Sequence, residues 1–357
     1  MVLSPYSVAV ALGMTLPGAA RRTASEIRHV LGVRDDALFH SGLNALTAYL
    51  EGLAGTQHRA DGTGAELALE AANQLYGQEG VAWERDFLDL LAREYGAGVR
   101  TVDYQQAPEK ARAVINGWVA DRTHDRIAEL IPAGVLNALT RLVLVNALYL
   151  KAPWEHPFEK SSTSSSAFHR ADGSTINVDT MQEPLLATTM TRGKGWRAAQ
   201  LPYAGRSVAM TLVLPDPGRL RQVEQQVTSG GLAEVLAVGR DVILDVRLPR
   251  WTFRSQSALN DALQQLGMRT AFDPEAADFR RMTEEDLDLY ISAVLHEGFV
   301  AVDEDGTEAA AATAVVISTT SAPVTEPFHV DRPFLFVIHD LKHGTPLFLG
   351  RVDDPSE

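Results

Sequence analysis

Hydrophobic patterning changes character once along this chain, near residue 140, and that change restricts the fold more than any other feature. Before it, apolar residues recur at helical steps. Leu38, Leu43, Leu46, Leu50 and Leu53 line one stripe of a helix predicted over residues 36–53. Residues 6–32 predict an amphipathic helix, a break at "LPGAA" and a second helix from Thr23, and further helices are expected at about 84–96 and 107–123. Between them "GTQHRADGTG" is a loop by composition and "ELALEAANQLYG" alternates as a strand does. After residue 140, "LVLVNALYL", "MTLVLP", "VILDVRLP" and "PFLFVI" are short β-rich runs closed by Pro, Gly or charge, with one further helical segment, "SALNDALQQLGM". Helices early and strands late predict an α+β fold rather than a repeating βαβ one. No internal repeat or long linker divides the chain, so residues 1–357 are expected to form one domain.

Composition removes several classes of function. With 45% hydrophobic and 22% charged residues the chain can bury a large core. Its 46 acidic against 32 basic side chains give a net charge of -14 without any dense basic cluster, which argues against nucleic acid, heparin-like polyanions and anionic membranes as partners. The absence of cysteine excludes disulfides, thiol catalysis and cysteine metal sites. No apolar run reaches the roughly 20 residues of a membrane span, and the first residues lack the basic start and cleavage site of a signal peptide. GxSxG, HExxH, GxxxxGK[ST] and GxGxxG motifs are all missing, so neither an enzyme nor a metal or cofactor site is expected. His339 and His343 in "VIHDLKHGTPLF" are four apart, but a surface turn around Gly344 accounts for them better than a metal site. His296 differs, because "ISAVLHEGFVAV" predicts a buried strand and a buried imidazole needs partners for both nitrogens.

One segment carries two conflicting instructions. In "EDGTEAAAATAVVISTTSAPVTEP", residues 304–327, four alanines favour helix and the following "VVISTT" favours strand. Written as a strand from Thr307, the positions Thr307, Ala309, Ala311, Thr313, Val315 and Ile317 are all small or apolar and share one face. The other face begins with Glu308 and carries no second charge until Glu326. Such a strand can slide into a sheet interior. The alternative, an alanine-rich surface helix or loop, is opposed by the β-branched run and by Pro323 and Pro327.

Five stretches in order resemble one family. They are "LSPYSVAVALGMTLPGAARRTASEI", "INGWVADRTHDRIAELI", "LVNALYLKAPWEHPFEKSST", "HEGFVAVDEDGTEAAAATA" and "VDRPFLFVIHDLKHGTPLFLGRVDDP". Through them the chain resembles the serpins, the serine protease inhibitors, from Ser4 to Pro355, and among these the bacterial, thermopin-like kind. Asp125 stands where the family usually has Gly, and the family's further N-terminal helix is expected to be absent, since the chain opens at the first motif. The resemblance implies a helix-rich N-terminal part, three β-sheets, and an exposed reactive loop at about 304–327 able to insert into the main sheet.

It also implies a mechanism. A target protease would cut near the bond between Thr320 and Ser321, and the loop would enter the main sheet from a hinge at Gly306, Thr307, Glu308, Ala309, Ala310, Ala311, Ala312 and Thr313, trapping the acylated protease. Residues 307–320 span roughly 45 Å as a strand. About ten new ladder bonds with the accompanying apolar burial total on the order of 10 kcal/mol, comparable with the stability of a whole domain. No Lys or Arg occurs between residues 305 and 331, so elastase-, subtilisin- or chymotrypsin-like serine proteases are the expected targets. Matched motifs place Glu304, Arg250, Trp154 and Thr163 where the loop enters the sheet, and Ser4, Ser7, Asn146 and His296 in a polar cluster beneath the strands that part. No heparin-like cofactor is expected, the protein should be a monomer, and localisation stays open, with the family resemblance alone favouring an extracellular setting. The alternative is a non-inhibitory serpin acting as chaperone, carrier or storage protein.

Overall fold

The computed structural model describes residues 2–285, 287–308 and 324–356. Among them, the helices are α1 (Pro5–Thr15), α2 (Arg21–Leu31), α3 (Asp36–Glu51), α4 (Arg85–Tyr95), α5 (Pro108–Arg122) and the short α6 (Leu220–Gln226), α7 (Leu232–Val235) and α8 (Asn260–Gln265). Helix α1 differs from the amphipathic expectation: eight of its residues, from Tyr6 to Thr15, are buried, because "PYSVAVALGMT" is apolar or small nearly all round. Ser4 caps it, accepting from the Ser7 amide at 3.2 Å, with Pro5 in the first turn.

Among the described residues the main sheet has seven strands: β2 (Gly55–His58), β3 (Gly64–Gln78), β4 (Val99–Val102), β5 (Leu142–Pro153), β11 (Trp251–Ala258), β12 (Ile291–Val302) and β13 (Gly306–Thr307). β2 occupies part of the segment expected as a loop; pairing with β3 in a hairpin overrides its polar composition. The second, nine-stranded system comprises β1 (Val2–Leu3), β6 (Ser164–His169), β7 (Thr175–Gly193), β8 (Trp196–Pro202), β9 (Val208–Pro215), β10 (Arg240–Pro249), β14 (Glu326–His329), β15 (Phe334–Asp340) and β16 (Pro346–Val352). Its long strand β7 is shared. One end pairs with β6, the middle with β10 and the other end with β8. The system thus reads as two sheets continuous through β7, which with the main sheet gives the three-sheet arrangement.

Alternation along β5 explains how the main sheet is sandwiched. Leu148, Leu150 and Ala152 face the core shared with the nine-stranded system, while Val143, Val145 and Ala147 face Ala111, Ile115 and Val119 of α5. Both faces are therefore apolar, as "LVLVNALYL" predicts. The segment after α5 crosses over this second face. It begins with a left-handed turn at His124 and Asp125, with φ of 50° and 61°. Aspartate is among the few non-glycine residues that tolerate this conformation, which accounts for Asp125 in a place where the resembled family has Gly.

Candidate functional site

β5 and β12 are direct parallel neighbours only in part. Their register runs from Leu142 opposite Ile291 to Leu148 opposite Gly298. Above that rung they diverge, and β13 lies between them, antiparallel to both: Thr307 is opposite Val302 of β12 and Ala152 of β5. The chain reverses at Asp303–Glu304–Asp305 to achieve this. Gly306, at φ 151°, has space for no side chain, since a Cβ would lie 2.3 Å from the Ala152 carbonyl oxygen. Thr307 is buried and its hydroxyl meets that of Tyr203 at 2.6 Å.

The reversal is fixed by a polar collar. Trp154 donates its amide to the Asp305 carbonyl and its Nε1–H to the Asp303 carbonyl, both at 2.9 Å, while its ring stacks on Tyr203 with centroids 4.6 Å apart. The Phe158 amide donates to the Glu304 carbonyl at 2.9 Å. Glu304 is 1% exposed, and its Oε1 accepts from Arg250 Nε at 2.8 Å and Nη2 at 2.5 Å and also from the Thr163 hydroxyl. Burial pushes the Glu304 carboxyl up, but the Arg250 and Thr163 bonds outweigh it and hold the group below the usual carboxylate range. Lys160 pairs with Asp305 at 2.7 Å. The structure therefore brings Glu304, Arg250, Trp154 and Thr163 together at the mouth of the β5–β12 gap.

Deeper in the sheet a polar row crosses three adjacent strands. Asn73 of β3 is opposite Asn146 of β5, which is opposite His296 of β12. The Ser4 amide donates to His296 Nε2 at 3.1 Å, so the ring proton sits on Nδ1, which donates to Asn146 Oδ1 at 2.5 Å. Asn146 Nδ2 donates to Ser7 Oγ and Asn73 Oδ1, each at 2.5 Å. Ser4, Ser7, Asn146 and His296 are fully buried, and burial pushes the imidazole down to about 4, so it is neutral. Ser4, Ser7, Asn146 and His296 thus form one network. Sequence reasoning missed its fifth member, Asn73, although a signal existed: Asn73 shares the inward face of β3 with Leu67, Leu69 and Leu75, where a polar side chain stands out.

Glu308 turns the chain again, in left-handed conformation at φ 53°, with its amide donating to the Ala301 carbonyl at 2.9 Å and its carboxylate on Arg126. Ala309, Ala310, Ala311, Ala312 and Thr313 and the bond between Thr320 and Ser321 lie outside the described residues. One reading from the sequence is corrected. His339 does not belong to a surface turn. It is buried in β15, where its Nε2 meets the Thr211 hydroxyl at 2.9 Å, because the strand extends to Asp340 before the chain turns.

The serpin (serine protease inhibitor) family model matches residues 1–355. Human leukocyte elastase inhibitor is 33% identical over 362 residues, covering 99% of this chain and 92% of that protein. Mouse antithrombin-III is 32% identical over 356 residues, covering 99% of this chain and 76% of that one. The crystal structure of Serpin48 from the insect Tenebrio molitor superposes with a TM-score of 0.86 at 30% identity, covering 99% of this chain and 91% of that one. With a match over nearly its whole length and with the same fold, this chain belongs to the serpin family.

Proposed function

We propose that this protein inhibits serine proteases as a suicide substrate: it is cut near the bond between Thr320 and Ser321 and traps the acylated protease by inserting the cut loop into the main sheet. The observation that carries this reading is the double pairing of Thr307 with Val302 and Ala152, the first rung of a strand lying between β5 and β12. Continuing that register sets residue 309 opposite Val300, 311 opposite Gly298 and 313 opposite His296. Directly opposite residues share a face, so 309, 311 and 313 would follow Thr307 onto the inner face of the sheet. They are Ala, Ala and Thr, small enough to pass.

Insertion separates β5 from β12 below Gly298 and exchanges their mutual bonds for bonds on both edges of the new strand. The net gain, on the order of 10 kcal/mol, is enough to drag and distort a protease still esterified to the loop. The collar around Glu304 governs entry, and the Asn146–His296 bond governs parting. Elastase, named in one relative, fits a loop free of Lys and Arg, as do subtilisin- and chymotrypsin-like enzymes.

Incubation with elastase, subtilisin and chymotrypsin tests the reading. A complex that survives denaturant, with mass spectrometry placing the cut at Thr320, is expected from at least one of them. Clean cleavage without a complex from all three would favour a non-inhibitory role as chaperone, carrier or storage protein.

A further inference from the structure

Four charged side chains, Glu308, Arg126, Arg254 and Glu297, form a series over the outer face of the main sheet with a carboxylate at each end. The Arg126 guanidinium, in the segment after α5, pairs with the Glu308 carboxylate and lies over the Phe299 ring at 6.0 Å. Arg254 of β11 donates to the Arg126 carbonyl and pairs through Nε with Glu297 of β12 at 3.3 Å. Gln256 of the same strand donates to the Leu130 carbonyl at 2.6 Å. β11 thus straps residues 126–130 across the sheet, and the strapped segment presents Arg126 to the loop.

Two further facts single out the contact with Glu308. Among the described residues its second oxygen, Oε2, is buried without a hydrogen bond of good geometry, so Arg126, with the Tyr149 hydroxyl nearby, is the main partner of the carboxylate. Its backbone is left-handed, a conformation disfavoured for Glu, and insertion as a strand would return it to an extended one. The ion pair with Arg126 thus reinforces, beside the amide bond to Ala301, a disfavoured turn at the place where the inserting strand would begin.

We propose that Arg126 is a positioning residue for the loop: its grip on the Glu308 carboxylate keeps the turn at the mouth of the gap, and protonation of that carboxylate releases it. The groups facing Glu308 are Arg126 and His124 from the segment after α5, with Lys151 and Tyr149 of β5 and, beside His124, Glu70 of β3. Glu297 is faced by Arg254, with Arg126 and Glu129 in the strapped segment above it. Burial raises the Glu308 carboxyl above the ordinary range, against the pull of Arg126, and pushes the Glu297 carboxyl up to about 7. The ionised form of Glu308, and with it the grip, is lost as pH falls through a value raised above the ordinary carboxylate range. Acid thus frees the hinge. Any effect on inhibition rests on the function proposed above; the grip itself does not.

Hydrogen exchange at the Glu308 and Thr307 amides tests this without a protease. Rates at pH 8 and pH 5 are corrected for intrinsic exchange and referred to amides of β5 below Leu148. Opening is expected to be about fivefold more frequent at pH 5 in the wild type. Arg126→Ala should open at the faster rate at both pH values, Arg126→Lys should restore the pH step, and Glu308→Gln, which removes the titrating carboxylate, should abolish it. A wild type without a pH step, or an Arg126→Ala variant protected like the wild type, overturns the proposal. A pH step in a protein that traps no protease would sink the inhibitory reading and leave the grip standing; trapping without a pH step would do the opposite.

Discussion

Asn146 and His296 stand opposite each other on neighbouring parallel strands, and the bond between them spans the line along which loop insertion would open the main sheet. The bond is buried and is continued on both sides by Ser4, Ser7 and Asn73, so opening the sheet there disrupts a network rather than a single contact.

His296→Ala should therefore destabilise the native state by about 1–3 kcal/mol at pH 7.5, by stranding Asn146 Oδ1 and the Ser4 amide. The deficit should depend on pH. The folded-state imidazole, at about 4, lies below its unfolded value near 6.5, so its contribution is complete above pH 6.5 and fades as pH falls toward 4. Urea midpoints for both proteins at pH 7.5 and 5 should show the gap narrowing in acid. A constant gap would contradict the assignment of a neutral, buried imidazole.

The adjacent residue should behave in the opposite sense. Burial raises the Glu297 carboxyl from 4.5 to about 7, so its contribution is complete below pH 4.5 and is lost as pH rises through 7. Glu297→Gln should be more stable than the wild type by about 1–2 kcal/mol at pH 8, a figure reduced because Arg254 is half exposed, and equal to it at pH 5. Urea midpoints in the two buffers measure this.

Arg250→Ala would leave the buried Glu304 carboxylate with Thr163 as its remaining side-chain donor, at about 1–2 kcal/mol. The collar should loosen, and uncleaved protein should pass faster into an inserted, inactive form on mild heating. Loss of inhibitory titre with time, compared with the wild type, reports the rate; Arg250→Lys should lie between the two.

Continuing the β13 register places residue 311 opposite Gly298, whose own Cβ position lies 2.9 Å from Val2. The inner face is crowded there. Ala311→Arg should convert an inhibitor into a substrate, raising the number of molecules consumed per protease inactivated by more than tenfold, because a charge cannot be buried against this face. Undiminished trapping by the variant would contradict insertion in this register.

Much of the scaffold is legible in sequence, because the patterns that signal it are local. Helix α3 and strand β3 follow from the spacing of Leu43 and Leu50 and from the alternation through Leu67 and Leu69. Glu304 and Thr163 could be singled out because each lies in a stretch that resembles the family, and Arg250 by the same matching at "LPRWTF". β2 was hidden because its pairing, not its composition, makes it a strand. Arg126 was hidden for a different reason: it meets Glu308 across 182 residues of sequence, and no local pattern records which side chain a chain reversal will bring to an exposed arginine. His339 was misread because a helical spacing of two histidines drew attention to the turn and away from the strand leading into it.

The central claim is that the intact molecule is held short of a deeper energy minimum, and calorimetry of intact and specifically cleaved protein tests it most directly. With about 10 kcal/mol gained on insertion, the cleaved form should melt on the order of 20 °C higher than the intact one. Equal melting temperatures would show that cleavage releases nothing, and would contradict the account.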